Sequence, residues 1–279
     1  MRLRLYHHHD GARIAYRETG TGPGLVLLHS LGLSHREFEP VVEPLSQRFR
    51  LVLPDLPLHG DSEDRPRHPY TPEWMTEVIA GFCGETVGPR PLVAGHDLGA
   101  ELLLRAVTGG QLTPRKLVLL PNRLHRGDQR RALRALWRGA TRTAAVPGLD
   151  RALARAATVV FRPAIGERLS YQRNPAARDL VRHAFMDVGG NGNRARSWAR
   201  FARRWPIEPQ RQLLDSYRTI TAPTLLLWAD HDEAHPLQSA QEALDLLPQG
   251  DLRVLSDTGF LMAYDDPVGL ARELISFLG

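Results

Sequence analysis

Cysteine is almost absent from this sequence. Cys83 is the only one among 279 residues, so no internal disulfide can form. This excludes the small secreted folds that depend on disulfides, and it favours a reducing compartment. We therefore expect a cytoplasmic protein. Cys83 lies in an apolar helical pattern, which favours a small core residue over a reactive thiol.

Long apolar runs are absent too. No segment approaches the roughly 20 apolar residues that a membrane-spanning helix requires. The first residues also lack the apolar stretch that is typical of a signal peptide. The sequence therefore predicts a protein without a membrane partner.

Lysine is as scarce as cysteine, with Lys116 the only one. Nearly all of the positive charge is arginine, and the net charge of +5 raises the question of nucleic-acid binding. The arginines are scattered, however, and no aromatic residues are interleaved with them to stack on bases. We expect no nucleic-acid partner and no bound metal or organic cofactor. A small-molecule substrate and a monomer or homodimer are the expected state.

Short apolar runs at regular intervals predict the strands of a large α/β domain. Their length is typical of buried parallel strands, and helical patterns separate most of them. The runs cover residues 25–28, 51–54, 92–95, 116–120, 224–228 and 252–255. Residues 1–18 instead predict two strands joined at Asp10-Gly11, a pair typical of hairpin turns.

Three consecutive histidines, His7, His8 and His9, precede that turn. Successive side chains on a strand point to opposite faces, so three neighbours cannot all bind one metal ion. We predict an exposed strand end here, without a metal site.

One stretch organises the rest of the chain. The apolar run 92–95 meets two glycines, Gly95 and Gly99, which bracket His96, Asp97 and Leu98. Glycine on each side allows a sharp strand-to-helix turn with Asp97 at its tip. The stretch resembles the nucleophile elbow G-x-S-x-G of the α/β-hydrolase fold, with Asp in place of Ser. Within that superfamily, Asp at the elbow resembles the haloalkane dehalogenases and epoxide hydrolases.

Three further stretches carry the same resemblance. Residues 29–32 (H-S-L-G) match the loop that supplies an oxyanion-hole N–H, which implies Leu31 and Leu98 as the two donors. Residues 55–62 resemble the family's D-x-P-G-x-G-x-S. Residues 229–236 resemble G-x-x-D-x-x-x-P, which implies Asp232 as the catalytic acid. The expected fold is the α/β-hydrolase fold, a mostly parallel central sheet flanked by helices, with an inserted helical cap.

The pattern changes between residues 121 and 212, where strand-like runs vanish and arginine-rich amphipathic segments appear. These segments, predicted to be helical, cover residues 130–138, 149–161, 176–185 and 197–205. We predict a core of residues 1–121 and 213–279 and a cap of residues 122–212. A cap of this kind covers the site and selects the substrate. Trp198 and Tyr171 are expected to line the pocket, and Tyr171 resembles the cap tyrosines that donate a proton in epoxide hydrolases.

The resemblance breaks at the general base. The family carries Gly-His after the last strand, whereas this sequence has Gly259-Phe260. Phenylalanine cannot take a proton from water, so another group must replace the base or the reaction must avoid hydrolysis. The candidate replacements are His29, His96, His231 and His235. We favour His29, because it ends a core strand at the mouth of the site, and expect Ser30, His96 and Phe260 in the pocket.

Three functions remain open. Without an imidazolium beside it, Asp97 in a capped pocket is expected to have a raised pKa and to act as a general acid or base. Asp232 is then expected to have no histidine to orient. That favours non-hydrolytic chemistry such as cyclisation, Michael-type C–C bond formation, elimination or isomerisation, on an aromatic or polyketide-like substrate of secondary metabolism. The alternatives are an epoxide hydrolase with a relocated base and a catalytically dead ligand-binding protein.

Overall fold

The structure is a computed structural model. It describes residues 1–123, 125–126, 169–190, 192–206, 210–211 and 213–279. Within these residues, no helix combines the length and the apolarity that crossing a bilayer requires.

Eight strands of the described residues form a single sheet in the order β1-β2-β4-β3-β5-β6-β7-β8. Their bounds are β1 Arg2–His7, β2 Arg13–Thr19, β3 Gly24–Leu28, β4 Arg50–Pro54, β5 Leu92–Gly95, β6 Lys116–Leu119, β7 Thr224–Ala229 and β8 Gly250–Leu255. The first two pairings, β1 with β2 and β2 with β4, are antiparallel. All later pairings are parallel. The carboxyl ends of β3 to β8 therefore meet at one edge of the sheet, where ligand sites of open α/β sheets lie.

Helices cover both faces of this sheet. Their bounds are α1 Glu39–Ser46, α2 Pro72–Thr86, α3 Leu98–Thr108, α4 Pro175–Gly190, α5 Gly192–Arg204, α6 Leu213–Tyr217, α7 Leu237–Leu244, α8 Met262–Asp265 and α9 Pro267–Leu278. Val26 and Leu28 of β3 belong to one buried cluster, which also contains residues of α2, α3 and α7. Leu25 and Leu27 belong to a second cluster with residues of α1 and α9. The alternation of side chains along each strand thus builds two cores, one on each face.

The fold class expected from the sequence is confirmed: a mostly parallel sheet flanked by helices, with an insertion between β6 and β7. Within the insertion, α4 and α5 contain the predicted helical segments 176–185 and most of 197–205. The predicted segments 130–138 and 149–161 lie outside the described residues. The division into a core of 1–121 and 213–279 and a cap of 122–212 stays a prediction.

Helix α5 is tied to the loop that follows β4. Arg194 Nη2 donates to the Gly60 carbonyl at 2.9 Å, and Ser197 Oγ donates to the Asp64 carbonyl at 2.6 Å. Arg204 Nη1 donates to the Pro69 carbonyl at 2.9 Å. These side chains recur every three to seven residues and therefore share one face of the helix, so several predicted cap arginines bind backbone oxygens.

Candidate active site

Asp97 stands at a sharp turn between β5 and α3. Its backbone has φ 45° and ψ −108°, outside the regions that most residues adopt. Neither neighbouring glycine tolerates a side chain: a Cβ at Gly95 would lie 2.6 Å from the Gly99 carbonyl carbon, and one at Gly99 would collide with the Leu28 carbonyl. The Asp97 N–H donates to the Pro121 carbonyl at 2.9 Å, which helps to hold the turn. This is the geometry of a nucleophile elbow.

The loop after β3 supplies a donor to the Asp97 carboxylate. The Leu31 N–H donates to Asp97 Oδ2 at 3.0 Å. The loop is anchored by the buried Glu37, whose carboxylate accepts from the Ser30 N–H at 2.7 Å and from Ser30 Oγ at 2.8 Å. Leu98, the other predicted donor, is the first residue of α3, so its N–H has no partner inside the helix.

The loop after β7 carries an acid and an imidazole within one tight turn. Asp232 Oδ1 accepts from the Ala234 N–H at 2.8 Å, a turn of the kind that Asp side chains stabilise. The turn brings His235 back onto the same carboxylate, with His235 Nδ1 2.8 Å from Asp232 Oδ2. Both side chains are buried, with 2% of Asp232 and 4% of His235 exposed. An Nδ1–H donated to Asp232 leaves Nε2 of the ring available for other partners.

That second nitrogen faces the elbow. His235 Nε2 lies 3.6 Å from Asp97 Oδ1, and the Asp97 side chain is 16% exposed. The imidazole thus bridges two carboxylates, one at the elbow and one on its own loop. We call this set the Asp97–His235–Asp232 triad. A nucleophile, a base and an orienting acid in this order are the parts of a catalytic triad.

The protonation states of the triad follow from its contacts. Burial alone lowers the pKa of His235, but the hydrogen bond to Asp232 and the negative charges of Asp232 and Asp97 outweigh it and raise this pKa to about 9. Burial opposes ionisation of Asp97, yet the nearby positive charge of His235, together with the Arg123 guanidinium, lowers its pKa far below the ordinary value. The pKa of Asp232 is likewise lowered, since His235 outweighs burial. At neutral pH the triad is an imidazolium between two carboxylates.

Two expectations about charge are therefore wrong. The pKa of Asp97 is lowered rather than raised, because His235 supplies the positive charge that was expected to be missing. Asp232 was expected to have no histidine to orient, but it holds His235.

His29, the favoured replacement base, is occupied elsewhere. Its Nδ1 lies 2.8 Å from the Ser30 carbonyl, and its Nε2 accepts from the Leu56 N–H at 2.9 Å. The side chain is fully buried, and burial lowers its pKa. With both nitrogens bound to backbone, His29 ties two loops together and has no nitrogen left for water. Of the other candidates, His231 is half-exposed beside Asp230, whereas His235 lies 3.6 Å from Asp97.

Other predicted pocket residues surround the elbow. His96 Nδ1 contacts Ser30 Oγ at 2.8 Å and the Glu37 carboxylate, while its buried Nε2 has no partner among the described residues. The ring of Phe260 lies 4.5 Å from the His96 ring and 5.7 Å from the His235 ring. Phe260, at the position where the resemblance implies the base, therefore packs against both imidazoles.

The two cap residues differ. The Tyr171 side chain stacks on His231 at 3.8 Å and is 46% exposed, so the structure does not put it into a covered pocket. Trp198 packs edge-on against His59 at 4.8 Å. Trp198 Nε1 and His59 Nε2 are both buried without a partner among the described residues. Between α5 and the loop after β4, the Trp198 N–H is therefore available as a donor and His59 Nε2 as an acceptor.

Sequence reasoning named His235 among four candidates but did not choose it. The signal was present in the spacing Asp232-x-x-His235, because an Asp-stabilised turn brings residue i+3 back to the side chain of residue i. Glu37, which anchors the loop of Leu31, was missed: within a helical pattern it is indistinguishable from a solvent-exposed carboxylate.

Elbow, donor loop and triad together define an α/β hydrolase. The chain belongs to the alpha/beta hydrolase family, whose model matches residues 25–273. A pyrrolizixenacetamide deacetylase from Xenorhabdus hominickii is 25% identical over 269 residues, 96% of this chain and 95% of that protein.

Two solved structures share the fold. A thermophilic esterase from Thermogutta terrifontis has a TM-score of 0.77 and 21% identity, over 100% of this chain and 98% of that one. The epoxide hydrolase CorEH has a TM-score of 0.78 and 18% identity, over 99% of both chains. At these identities the two structures show the fold alone, whereas the family and the deacetylase relative support an enzyme in general.

Proposed function

We propose that this protein is a hydrolase in which Asp97 is the nucleophile, His235 the relocated base and Asp232 the acid that orients it. The substrate class is a small molecule with an electrophilic saturated carbon, an epoxide or an alkyl halide. One observation carries the proposal: the His235 ring contacts Asp232 at 2.8 Å through Nδ1 and lies 3.6 Å from Asp97 through Nε2. A carboxylate nucleophile attacks such a carbon directly and forms an ester with the enzyme, which water can then hydrolyse.

The first step uses the ionised Asp97. Its Oδ2 is held by the Leu31 N–H, which leaves Oδ1, the oxygen that faces His235, to attack carbon. With an epoxide, the new C–O bond forms as the ring C–O bond breaks, and the ring oxygen takes the proton of the His235 imidazolium. This donor replaces the cap tyrosine expected from the sequence. All six tyrosines of the chain lie in the described residues, and Tyr171, the expected donor, stacks on His231 at the surface.

The second step releases the ester. Esterification removes the negative charge of Asp97, so one of the two groups that raise the pKa of His235 is lost and the ring stays neutral. It then deprotonates water, which attacks Cγ of Asp97, while the Leu31 N–H stabilises the negative charge that develops on Oδ2. As the intermediate collapses, the leaving alkoxide takes that proton back. The new carboxylic acid then reprotonates His235, so the resting state is restored.

Non-hydrolytic acid/base chemistry at Asp97 is the second candidate. It is favoured by Phe260, whose ring lies against His235 and presents an apolar surface where water would otherwise approach. The resting triad holds a proton donor, His235, beside a proton acceptor, Asp97, which is the pair that an isomerisation, elimination or cyclisation requires.

One experiment separates the two candidates. The protein is incubated with a panel of aromatic and aliphatic epoxides and haloalkanes in ¹⁸O-water, first for a single turnover and then for many. Hydrolysis through Asp97 puts ¹⁸O into the Asp97 carboxylate before it appears in the product. Intact mass of His235→Gln shows a stable adduct with the haloalkanes, because halide leaves without taking a proton from His235. His231→Gln, on the same loop but half-exposed, is the control and turns over normally. Unlabelled Asp97 after diol has formed, or His235→Gln turning over at the wild-type rate, would overturn the proposal.

A further inference from the structure

The turn between β1 and β2 differs from its prediction. Strand β1 ends at His7, so His8 and His9 lie in the turn that leads to β2. The rule that neighbouring side chains point to opposite faces applies to strands and does not apply to them. Their rings lie on the same side, with centroids 4.0 Å apart. The argument against a metal site therefore fails for this pair.

A carboxylate from α2 completes a set of three ligand atoms. One atom each from His8, His9 and Glu77 lie within 4.8 Å of one another, and His9 Nε2 is 3.1 Å from Glu77 Oε1. Zinc bonds of about 2.0–2.2 Å in a tetrahedron place ligand atoms about 3.4 Å apart. His9 and Glu77 are exposed, so small side-chain rotations suffice to close this gap.

The buried member of the set is already oriented. His8 Nδ1 lies 2.9 Å from Asp10 Oδ1, and the Asp10 carboxylate accepts from the Trp74 Nε1–H at 2.5 Å and the Ala12 N–H at 2.9 Å. A carboxylate that takes the Nδ1–H of a histidine leaves the Nε2 lone pair available for a metal ion. Histidines that bind metals have a second partner of this kind.

Helix α2 packs closely against β1 and the turn. On α2, Gly81 follows Glu77 by one helical turn, and a Cβ at Gly81 would lie 2.8 Å from the Tyr6 hydroxyl and 3.8 Å from His8 Nε2. Glycine at this position therefore lets the helix that carries Glu77 approach His8. Asp10 holds His8 in place, whereas His9 and Glu77 are exposed and can rotate towards the ion.

We propose that His8, His9 and Glu77 bind one divalent transition-metal ion such as Zn²⁺, with water at the remaining position. Two imidazoles and one carboxylate suit Zn²⁺, Ni²⁺ or Cu²⁺, whereas Mg²⁺ and Ca²⁺ prefer all-oxygen sets. In the sheet, β1 is four strands away from β5, roughly 19 Å from the elbow at about 4.8 Å per strand. The site is therefore separate from the triad, and it links the β1–β2 turn to α2.

The test is titration calorimetry of the untagged full-length protein with Zn²⁺ in a non-coordinating buffer. We expect saturable binding of one ion, at least tenfold weaker binding in His9→Ala and in Glu77→Gln, and a higher Tm with Zn²⁺ that a chelator reverses. His7→Ala, an exposed histidine outside the set, is the matched control and keeps wild-type affinity. Because His9 and Glu77 are exposed, these variants retain the fold.

A second readout concerns ligand identity. Co²⁺ is expected to bind with visible absorption typical of a four-coordinate nitrogen and oxygen site, and Asp10→Asn to weaken binding about tenfold through His8. The proposal is wrong if the wild-type protein shows no saturable Zn²⁺ binding. It is equally wrong if His9→Ala and Glu77→Gln bind as the wild type does, or if His7→Ala loses the site.

Discussion

The loop after β7 and the loop after β8 carry different side chains from those in the pattern that the sequence resembles. In that pattern the first loop carries the acid and the second carries the base. Here the first loop carries both a carboxylate and an imidazole, Asp232 and His235, while the second presents Phe260. The two loops are joined directly: the Thr258 N–H donates to Asp230 Oδ1 at 3.1 Å, and the His231 N–H donates to the Thr258 carbonyl at 2.9 Å.

The comparison shows that the position of an imidazole relative to Asp97, and not the loop that carries it, decides whether it could act as a base. Because β7 and β8 are adjacent and parallel, their carboxyl ends open beside the same elbow. An imidazole from either loop can therefore reach Asp97. When it comes from the β7 loop, the place left by the usual base is filled by an apolar ring that packs against it.

The largest expected effect is that of Asp97→Asn, which removes the nucleophile but keeps its shape. We expect turnover to fall by about 10⁴-fold or more, with no adduct on the protein, because an amide does not attack carbon. Product formation and intact mass with the epoxide panel measure both. Activity that survives the change would contradict a nucleophilic Asp97, and intact biological activity would instead favour a binding protein.

Asp232→Asn tests whether Asp232 and His235, on the loop after β7, act together in the reaction. The amide cannot stabilise a charged His235 and favours the wrong tautomer, so we expect turnover to fall by about 10²-fold. Steady-state kinetics measure this, with Asp230→Asn on the same loop as a comparison for lost loop structure. An undiminished rate in Asp232→Asn would mean that His235 does not act as the base.

Moving the base back to the β8 loop tests the comparison itself. We expect His235→Phe to lose turnover, and the double variant His235→Phe with Phe260→His to regain about tenfold or more of it. The regained histidine would stand where the family carries its base. Circular dichroism checks that both variants fold alike. A double variant no faster than the single one would mean that the two loops are not interchangeable.

The smallest effect is a change in titration. The His235 pKa of about 9 lies above the unfolded-state value near 6.5, so its contribution to stability is complete below pH 6.5 and is lost as pH rises through 9. We expect the free energy of unfolding of the wild type to fall across this window by more than that of His235→Gln. NMR titration of the His235 ring should give a lower pKa in Asp97→Asn, because that variant loses one of the two carboxylates. An unchanged pKa would show that Asp97 and His235 do not interact.

Much of the fold and part of the site could be predicted from residues alone. The elbow at Asp97 is recognisable because a sharp strand-to-helix turn requires glycine at two fixed positions around it. The apolar runs predict the strands because parallel strands are buried on both faces. His235 was harder to choose. Its role depends on a turn that brings it onto Asp232 and on the distance from β7 to β5, neither of which can be read from spacing along the chain.

The residues alone were enough to predict the fold family, the elbow at Asp97 and the absence of histidine from residue 260, since these rest on local patterns. Three features needed the three-dimensional arrangement: His235 rather than His29 faces Asp97, the pKa of Asp97 is lowered, and His8 and His9 lie close to Glu77. Each of these depends on side chains from different elements meeting in space. The physical reason is that hydrogen bonding and charge act over a few ångströms, whatever the separation along the chain.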